Sequence, residues 1–219
     1  MSEVDQWLKE LIRINDEEDK MTEKQLKIVQ AAIEIFSEKG YAASSTSEIA
    51  QKAGVAEGTI FRHYKTKKEL LLSIVAPIMS KLIAPFVIKD FTKVLEADYP
   101  KMEDFLRVTI RDRMTFARNH FPVIKILLHE IPFQPDLQKH FKEFIGEQIL
   151  QRMNKVIRHF QEQGQIIEAP TFPIVRFIAT TVIGLILSRF LFLPEASWDE
   201  EQEIETTIDL IMHGLIPQR

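Results

Sequence analysis

Residues 44–72 read SSTSEIAQKAGVAEGTIFRHYKTKKELLL, which is the pattern of a helix, a tight turn and a second short helix. A small residue at Ala50 allows two helices to cross closely, and Gly54 can adopt the left-handed backbone that a short turn needs. Val55 and Ile60 supply the apolar contacts behind the turn. We therefore predict a helix-turn-helix whose second helix points outward, where its first residues can enter a major groove of DNA.

The order and spacing of GVAEGTIFRHYKTKKEL, at residues 54–70, resemble the TetR family of bacterial transcriptional regulators. The resemblance implies an all-α fold with two parts. One is an N-terminal three-helix head that carries the helix-turn-helix, and the other is a C-terminal helical body for ligand binding and dimerisation. Beyond about residue 72 the resemblance is only architectural, because bodies of this kind share little sequence. It further implies a double-stranded DNA operator and a small-molecule effector as partners.

The helix-turn-helix supplies a set of candidate DNA contacts. Ser45 opens a helix, where its hydroxyl and the free amides can meet a phosphate. Arg62 can donate to guanine O6 and N7, although a phosphate contact is nearly as plausible, and Lys67 matches the phosphate-binding lysine of the family. The alternative for the whole set is an ordinary solvated helix face. The predicted DNA-binding residues are Ser45, Thr46, Gly58, Thr59, Arg62, His63, Tyr64 and Lys67.

Two residues depart from the family pattern. Phe61 stands where a tyrosine is frequent, so it lacks the phenol that would donate to a phosphate, and we expect it to pack inward. Ala56 replaces the frequent serine or threonine that caps the recognition helix. Glu57 at the start of this helix favours the helix dipole but repels phosphate. The second helix is therefore expected to be less well preformed than is usual.

The formal charge of the 219-residue chain is −4, but the charge is unevenly distributed. Residues 20–70 carry nine basic and six acidic residues, for +3, whereas residues 1–19 carry two basic and seven acidic ones, for −5. The positive charge of residues 20–70 is modest, so DNA binding would depend on individually positioned side-chain contacts rather than on bulk charge. The chain has no cysteine, and its first residues lack the apolar core of a signal peptide, so we expect a cytoplasmic protein.

The chain divides into an extension at residues 1–20, a DNA-binding domain at 21–70 and a ligand-binding and dimerisation domain at 71–219. The extension is expected to be a short helix with an acidic end. Three interpretations stay open for it: a partly ordered segment, an extra helix packed on the protein, or a charged mimic that regulates the DNA-binding face. Capping sequences predict helix starts at Thr22 and Ser45. Further helices are predicted near 67–84, 101–119, 121–131, 134–163, 171–192 and 198–215, with prolines near their ends.

The most apolar segment is residues 172–193, but Arg176 and Arg189 limit its uncharged run to twelve residues. A span needs about 20, so we predict a buried helix rather than a membrane segment. The last two helices, 171–192 and 198–215, resemble the dimerisation pair of the family, and we expect a homodimer through them. The alternative is that both stripes face the core of one subunit. The two stripes are Thr180, Gly184 and Ser188, and Ile204, Ile208, Ile211 and Leu215.

The family implies an effector held between helices of the body, and the excess of phenylalanine over tyrosine favours an apolar or amphipathic molecule. The alternative for each aromatic or methionine candidate is a role in the core, and the alternative for each arginine is a surface position or an ion pair. The predicted ligand-binding residues are Phe105, Thr109, Met114, Phe116, His129, Phe133, Phe177 and Thr181. Possible partners for an acidic ligand group are Arg111, Arg113, Arg118, His120 and His129.

The sequence contains no nucleotide-binding glycine loop, no paired-histidine zinc motif and no nucleophile elbow. We therefore expect no enzyme activity, no catalytic residue, no cofactor and no metal site. The predicted function is a ligand-responsive DNA-binding transcriptional regulator. A repressor released from a near-palindromic operator is the specific form that we expect. The alternative is a helical binding or scaffold protein whose head has lost DNA affinity.

Overall fold

The computed structural model of the chain describes residues 22–77, 99–142 and 147–215, and every regular element in these ranges is helical. The predicted all-α fold with a helix-turn-helix head is confirmed. In chain order the helices are α1 (Glu23–Lys39), α2 (Thr46–Ala53), α3 (Glu57–His63), α4 (Lys67–Pro77), α5 (Met102–Glu130), α6 (Pro135–Phe141), α7 (Glu147–Glu162), α8 (Thr171–Leu187) and α9 (Glu200–Leu215). The predicted helix in residues 1–20, and the predicted continuation of α4 to residue 84, lie outside the described residues.

The first two helices begin with the reciprocal caps that the sequence predicts. The Thr22 hydroxyl accepts from the N–H of Gln25, and the Gln25 side chain accepts from the N–H of Thr22. Ser45 and Glu48 form the same pair at the start of α2, at 3.1 Å in both directions. Each cap satisfies amides that have no partner inside the helix, which fixes where the helix starts. At the other end of α1, Gly40 is the C-cap with φ 80°.

Proline 122 does not end a helix. We predicted separate helices at 101–119 and 121–131, whereas α5 runs without a break from Met102 to Glu130. Pro122 cannot donate to the carbonyl of Arg118, and an interior proline costs about 3 kcal/mol. The burial of several apolar side chains on either side outweighs this cost, at about 1.5–3 kcal/mol for each fully buried one. These side chains are Ile110, Met114, Ala117, Val123 and Ile126.

The described chain forms two compact units. The first unit contains residues 22–77 and 119–142, and the second contains residues 99–118 and 147–215. Helix α5 contributes to both, because the division falls between Arg118 and Asn119. The predicted domain boundaries at residues 20 and 70 stay predictions.

The core of the first unit is built on α1, which packs against α2 and α4. Its inward side chains, including Ile28, Val29, Ala32, Ile33 and Phe36, are almost completely buried. Helix α3 packs against α2, and α6 lies against α4. This packing places the two helices of the predicted DNA-binding motif against each other, with α2 held against α1.

The core of the second unit is formed by side chains from the first part of α5 and from α7, α8 and α9. The apolar stripe on α9 belongs to it, since Ile204, Ile208 and Ile211 are buried there. For these three residues the alternative of a core role is the one observed, because α9 buries this face against its neighbours in one chain. The predicted homodimer through residues 171–192 and 198–215 stays a prediction.

Helix α8, together with the turn of π-helix at Ser188–Phe192, is the one segment of the described residues long and apolar enough to cross a membrane. One of its faces lies in the core of the second unit and includes Ile174, Ile178 and Val182. The opposite face exposes Phe177 and Ile183. The predicted burial therefore applies to only half of the helix, and the outer half is an exposed apolar surface.

Candidate nucleic-acid interface

Helices α2 and α3 are joined by the tight turn that the sequence predicts. Gly54 has φ 66° and ψ 34°, which is the left-handed region where a Cβ would be strained. The N–H of Val55 donates to the carbonyl of Ala50 at 3.0 Å and closes the turn. Ala50 is buried at the crossing, so the two helices approach closely there.

The rotation of α3 about its axis is fixed by Ile60, which is 0% exposed and therefore lies on the inner face. Tyr64, the residue directly after the helix, is 7% exposed and is buried as well. Phe61 follows Ile60 by about 100° around the helix and is 47% exposed. The expectation that Phe61 packs inward is therefore wrong, because turning it inward would expose Ile60. The outward residues of α3 are Glu57, Gly58, Phe61 and Arg62, with Thr59 and His63 half-buried beside them.

Tyr64 is a core residue rather than the exposed donor that we predicted for DNA. Burial raises the pKa of its hydroxyl, and a hydrogen bond with Ser73 of α4 opposes this shift. Its side chain therefore joins the end of α3 to α4. We predicted a DNA contact for Tyr64 because a tyrosine hydroxyl can donate to a phosphate, but this side chain is buried.

The start of α3 is held by its neighbour instead of by a cap of its own. Ala56 offers no side-chain hydrogen bond to the helix, in agreement with its identity. The Thr46 hydroxyl donates to the carboxylate of Glu57 at 2.5 Å, which ties the first turn of α2 to the first turn of α3. The hydroxyls of both candidate residues thus form hydrogen bonds within the head: Thr46 with Glu57, and Ser45 with the N–H of Glu48 at the start of α2.

Lys67 is turned toward the head. Its ammonium group donates to the carbonyls of Tyr41 and Ser44, the latter at 2.5 Å, and lies 4.3 Å from the centre of the Tyr41 ring. Burial lowers the pKa of Lys67, and the carboxylates of Glu130 and Glu48 oppose this effect. The side chain therefore fixes the turn at residues 41–44, which leads directly into the cap of α2.

The same turn is bound by the end of α5. The buried carboxylate of Glu130 accepts from the N–H of Tyr41 at 3.3 Å and lies 2.8 Å from the His129 ring nitrogen Nδ1. A Cβ added at Gly40 would lie 3.4 Å from the same ring. His129, which we predicted to contact a ligand, thus packs against the head. Nothing in the sequence pairs residue 130 with residue 41, so this contact was missed.

The structure does not bring the eight predicted ligand-binding residues together. Phe105 and Met114 are buried in the core of the second unit, whereas His129 and the exposed Phe133 belong to the first unit. Phe177 is exposed on the outer face of α8, and a Cβ added at Gly214 would lie 3.5 Å from its ring. The other members are half-buried Thr109, half-buried Phe116 beside Arg113, and Thr181, whose hydroxyl donates to the carbonyl of Phe177.

The basic candidates are occupied within the protein. Arg111 pairs with Glu201, Arg118 with Glu200 and Arg113 with Asp112. These three arginines therefore form ion pairs within the protein, which was the alternative to their predicted role in ligand binding. His120 is buried, and desolvation lowers its pKa to about 4, so it is uncharged at neutral pH and unsuited to pair with an acid.

Two buried polar atoms of the second unit have no hydrogen-bond partner within the described part of the chain. They are the Thr109 hydroxyl and the amide oxygen of Asn154 on α7. A buried polar group without a partner costs roughly 1–3 kcal/mol. Sequence reasoning singled out Thr109 but missed Asn154, although a polar residue beside the apolar Met153 and Val156 was a visible signal.

Comparison with known sequences supports the assignment of the head. The model of the family described as "Bacterial regulatory proteins, tetR family" matches residues 28–74. The HTH-type transcriptional regulator YerO of Bacillus subtilis is 31% identical over 127 residues, which are 55% of this chain and 41% of that protein. The fatty acid metabolism regulator protein of the same organism is 42% identical over 60 residues, 27% of this chain and 31% of that protein. The chain thus matches less than half the length of these two relatives.

Solved structures share the fold over most of the chain. The transcriptional regulator FadR from Bacillus subtilis, in complex with stearoyl-CoA, has a TM-score of 0.65 and 20% sequence identity. The match covers 86% of this chain and 98% of that one. At this identity the likeness extends to the fold alone.

The position of Lys67 leads to a prediction about stability. Lys67→Ala removes a charged donor from two carbonyls of the 41–44 turn, and we expect the free energy of unfolding to fall by about 1–2 kcal/mol. The matched control is Lys65→Ala, whose side chain is exposed and which should change stability by less than about 0.5 kcal/mol. Denaturant unfolding of both variants is the measurement. Equal stability of the two variants would contradict the holding role of Lys67.

Proposed function

Because the chain belongs to the TetR family of bacterial transcriptional regulators, we propose that it is a cytoplasmic, homodimeric repressor. In this proposal each subunit places α3 in a major groove of a near-palindromic operator. A small apolar or amphipathic effector, bound in the body, releases the protein from DNA. The proteins that it resembles are regulators, not enzymes.

The main observation that supports DNA binding is the outward face of α3. Gly58 has no atom within 4 Å of the position of a Cβ, so the backbone of the helix is open to close approach. Arg62 projects from the same exposed side one turn later. The head has a charge of +3 across residues 20–70 although the whole chain has −4, which favours phosphate binding at this end.

Substitution of Arg62 separates base reading from phosphate binding. If Arg62 donates two hydrogen bonds to a guanine, Arg62→Ala should cost about 1–3 kcal/mol at that base pair and change the preferred sequence. Arg62→Lys keeps the charge but loses the planar pair of donors, so it should show the same change in preference with a smaller loss of overall affinity. Selection from random duplexes, followed by gel shifts at several salt concentrations, measures both effects.

Two results would count against this assignment. If Arg62→Ala lowers the affinity for all duplexes equally, Arg62 contacts the phosphate backbone rather than a base. No salt-dependent binding of the unaltered protein to any duplex would favour a helical scaffold protein whose head has lost DNA affinity.

The exposed apolar surface of α8 supports dimerisation through α8 and α9. Phe177 and Ile183 on α8 are 42% and 50% exposed, and Leu210 on α9 is 65% exposed. Small residues, Thr180 and Gly184, lie on the same outer face of α8 and permit close approach of another helix. A second copy of the chain would bury this surface, as the family resemblance implies.

Gly184→Leu tests the proposed interface without disturbing the subunit. In one chain nothing lies within 4 Å of a Cβ at this position, so the fold should be unaffected and the helix slightly favoured. In a close-packed dimer the added side chain overpacks the contact, at typically about 1–3 kcal/mol, and sedimentation should show a weaker dimer. Gln151→Leu adds an exposed leucine on α7 as the control. An unchanged dimer of Gly184→Leu would exclude this face.

The second unit offers buried polar atoms inside an otherwise apolar core. The Thr109 hydroxyl and the Asn154 amide oxygen have no hydrogen-bond partner in the described chain, and the apolar core of the same unit includes Phe105 and Met114. An effector with an acyl chain and one polar group would suit such surroundings. Helix α5 also provides a route to the head, since it runs from this unit to the Glu130–Tyr41 contact.

An effector must bind the DNA-free form better than the DNA-bound form if it is to release the protein. We expect stearoyl-CoA to raise the melting temperature and to lower affinity for the selected duplex, with coenzyme A alone as the control. Thr109→Val removes the unpaired hydroxyl at constant shape, so it should preserve stability and weaken both responses. If a compound raises the melting temperature and leaves DNA affinity unchanged, the compound binds the protein but does not release it from DNA.

A further inference from the structure

Phe61 is exposed because the register of α3 leaves no other position for it. Ile60 is completely buried, and Tyr64, directly after the end of the helix, is buried as well, whereas Glu57 and Phe61 share the outer face. Rotating the helix to bury Phe61 would expose Ile60. An aromatic ring therefore stands in the middle of the face that the proposed function directs at DNA.

The neighbours of Phe61 indicate what covers it. Arg62 is the next residue and Lys65 follows the end of α3, and both are cationic and exposed. An uncharged apolar protein surface over this end of the helix would have to bury those charges, whereas a polyanion complements them. Gly58, one turn earlier, carries no side chain to hold that partner away from the ring.

A phenyl ring neither donates nor accepts hydrogen bonds, so it cannot recognise the polar edges of guanine, adenine or cytosine. The apolar group that the major groove presents is the C5 methyl of thymine. We infer that Phe61 is a specificity-determining residue that packs on a thymine methyl in each operator half-site. The inference rests on the proposed function and adds a base contact that the family resemblance did not supply.

Removal of single methyl groups from DNA tests the inference directly. The full-length protein is used with a duplex that it selects from a random library, and deoxyuridine replaces each thymine of one half-site in turn. At one position the unaltered protein should lose about fourfold in affinity, the worth of one buried methyl group. Phe61→Ala should show no loss at that position, and Phe61→Leu should keep most of it.

Thr59 provides the matched control, because its own methyl group lies on the same helix. Thr59→Ser should leave the deoxyuridine effect intact, and Phe61→Ala should leave the melting temperature of the free protein unchanged, since the ring is exposed. The inference is overturned if the effect disappears with Thr59→Ser, or if Phe61→Ala retains it. It is equally overturned if Phe61→Ala binds every duplex as the unaltered protein does. Failure of the unaltered protein to bind any duplex would refute the proposed function instead.

Discussion

The burial of Ile60 against the head is the constraint on which the rest of this account depends. It fixes the rotation of α3 about its axis, and with it the side chains that this helix presents outward, where the proposed DNA contacts lie. The left-handed turn at Gly54 and the hydrogen bond between Thr46 and Glu57 then fix where the helix begins. A seven-residue helix has little stability of its own, so these contacts determine its geometry.

The turn at residues 41–44 is the second structural centre of the first unit. Lys67 binds it from α4 through two carbonyls, and Glu130 binds it from the end of α5 through a backbone amide. Both are long-range contacts that meet immediately before the cap of α2. A displacement of either helix would therefore be passed to the start of the DNA-facing motif. This gives the proposed effector response a concrete structural element to act on.

The sequence predicted the features that depend on neighbouring residues. Capping boxes at Thr22 and Ser45 involve partners three residues apart, and the turn at Gly54 needs one glycine at one position. These signals are local, so they are visible without the fold. The all-α class followed from the family resemblance and from the helices predicted along the chain.

The errors arose where the answer depended on distant residues. Whether Phe61 or Tyr64 faces inward depends on the position of α4. The hydrogen bonds of Lys67 to a turn more than twenty residues earlier were equally invisible in the sequence, and its phosphate contact stays a prediction. Pro122 was predicted to end a helix because local cost was counted without the burial on both sides of it. The predicted ligand residues were chosen by type, and type does not reveal which of them share a core.

The measurement that tests the central claim most directly is hydrogen exchange of the full-length protein with and without its selected duplex. The account predicts that added protection is concentrated in residues 45–48 and 57–65, where the cap of α2 and the outward face of α3 meet DNA. Helix α7 should change least. Protection confined to the second unit, with none in α3, would contradict the assignment of this helix as the DNA-reading element.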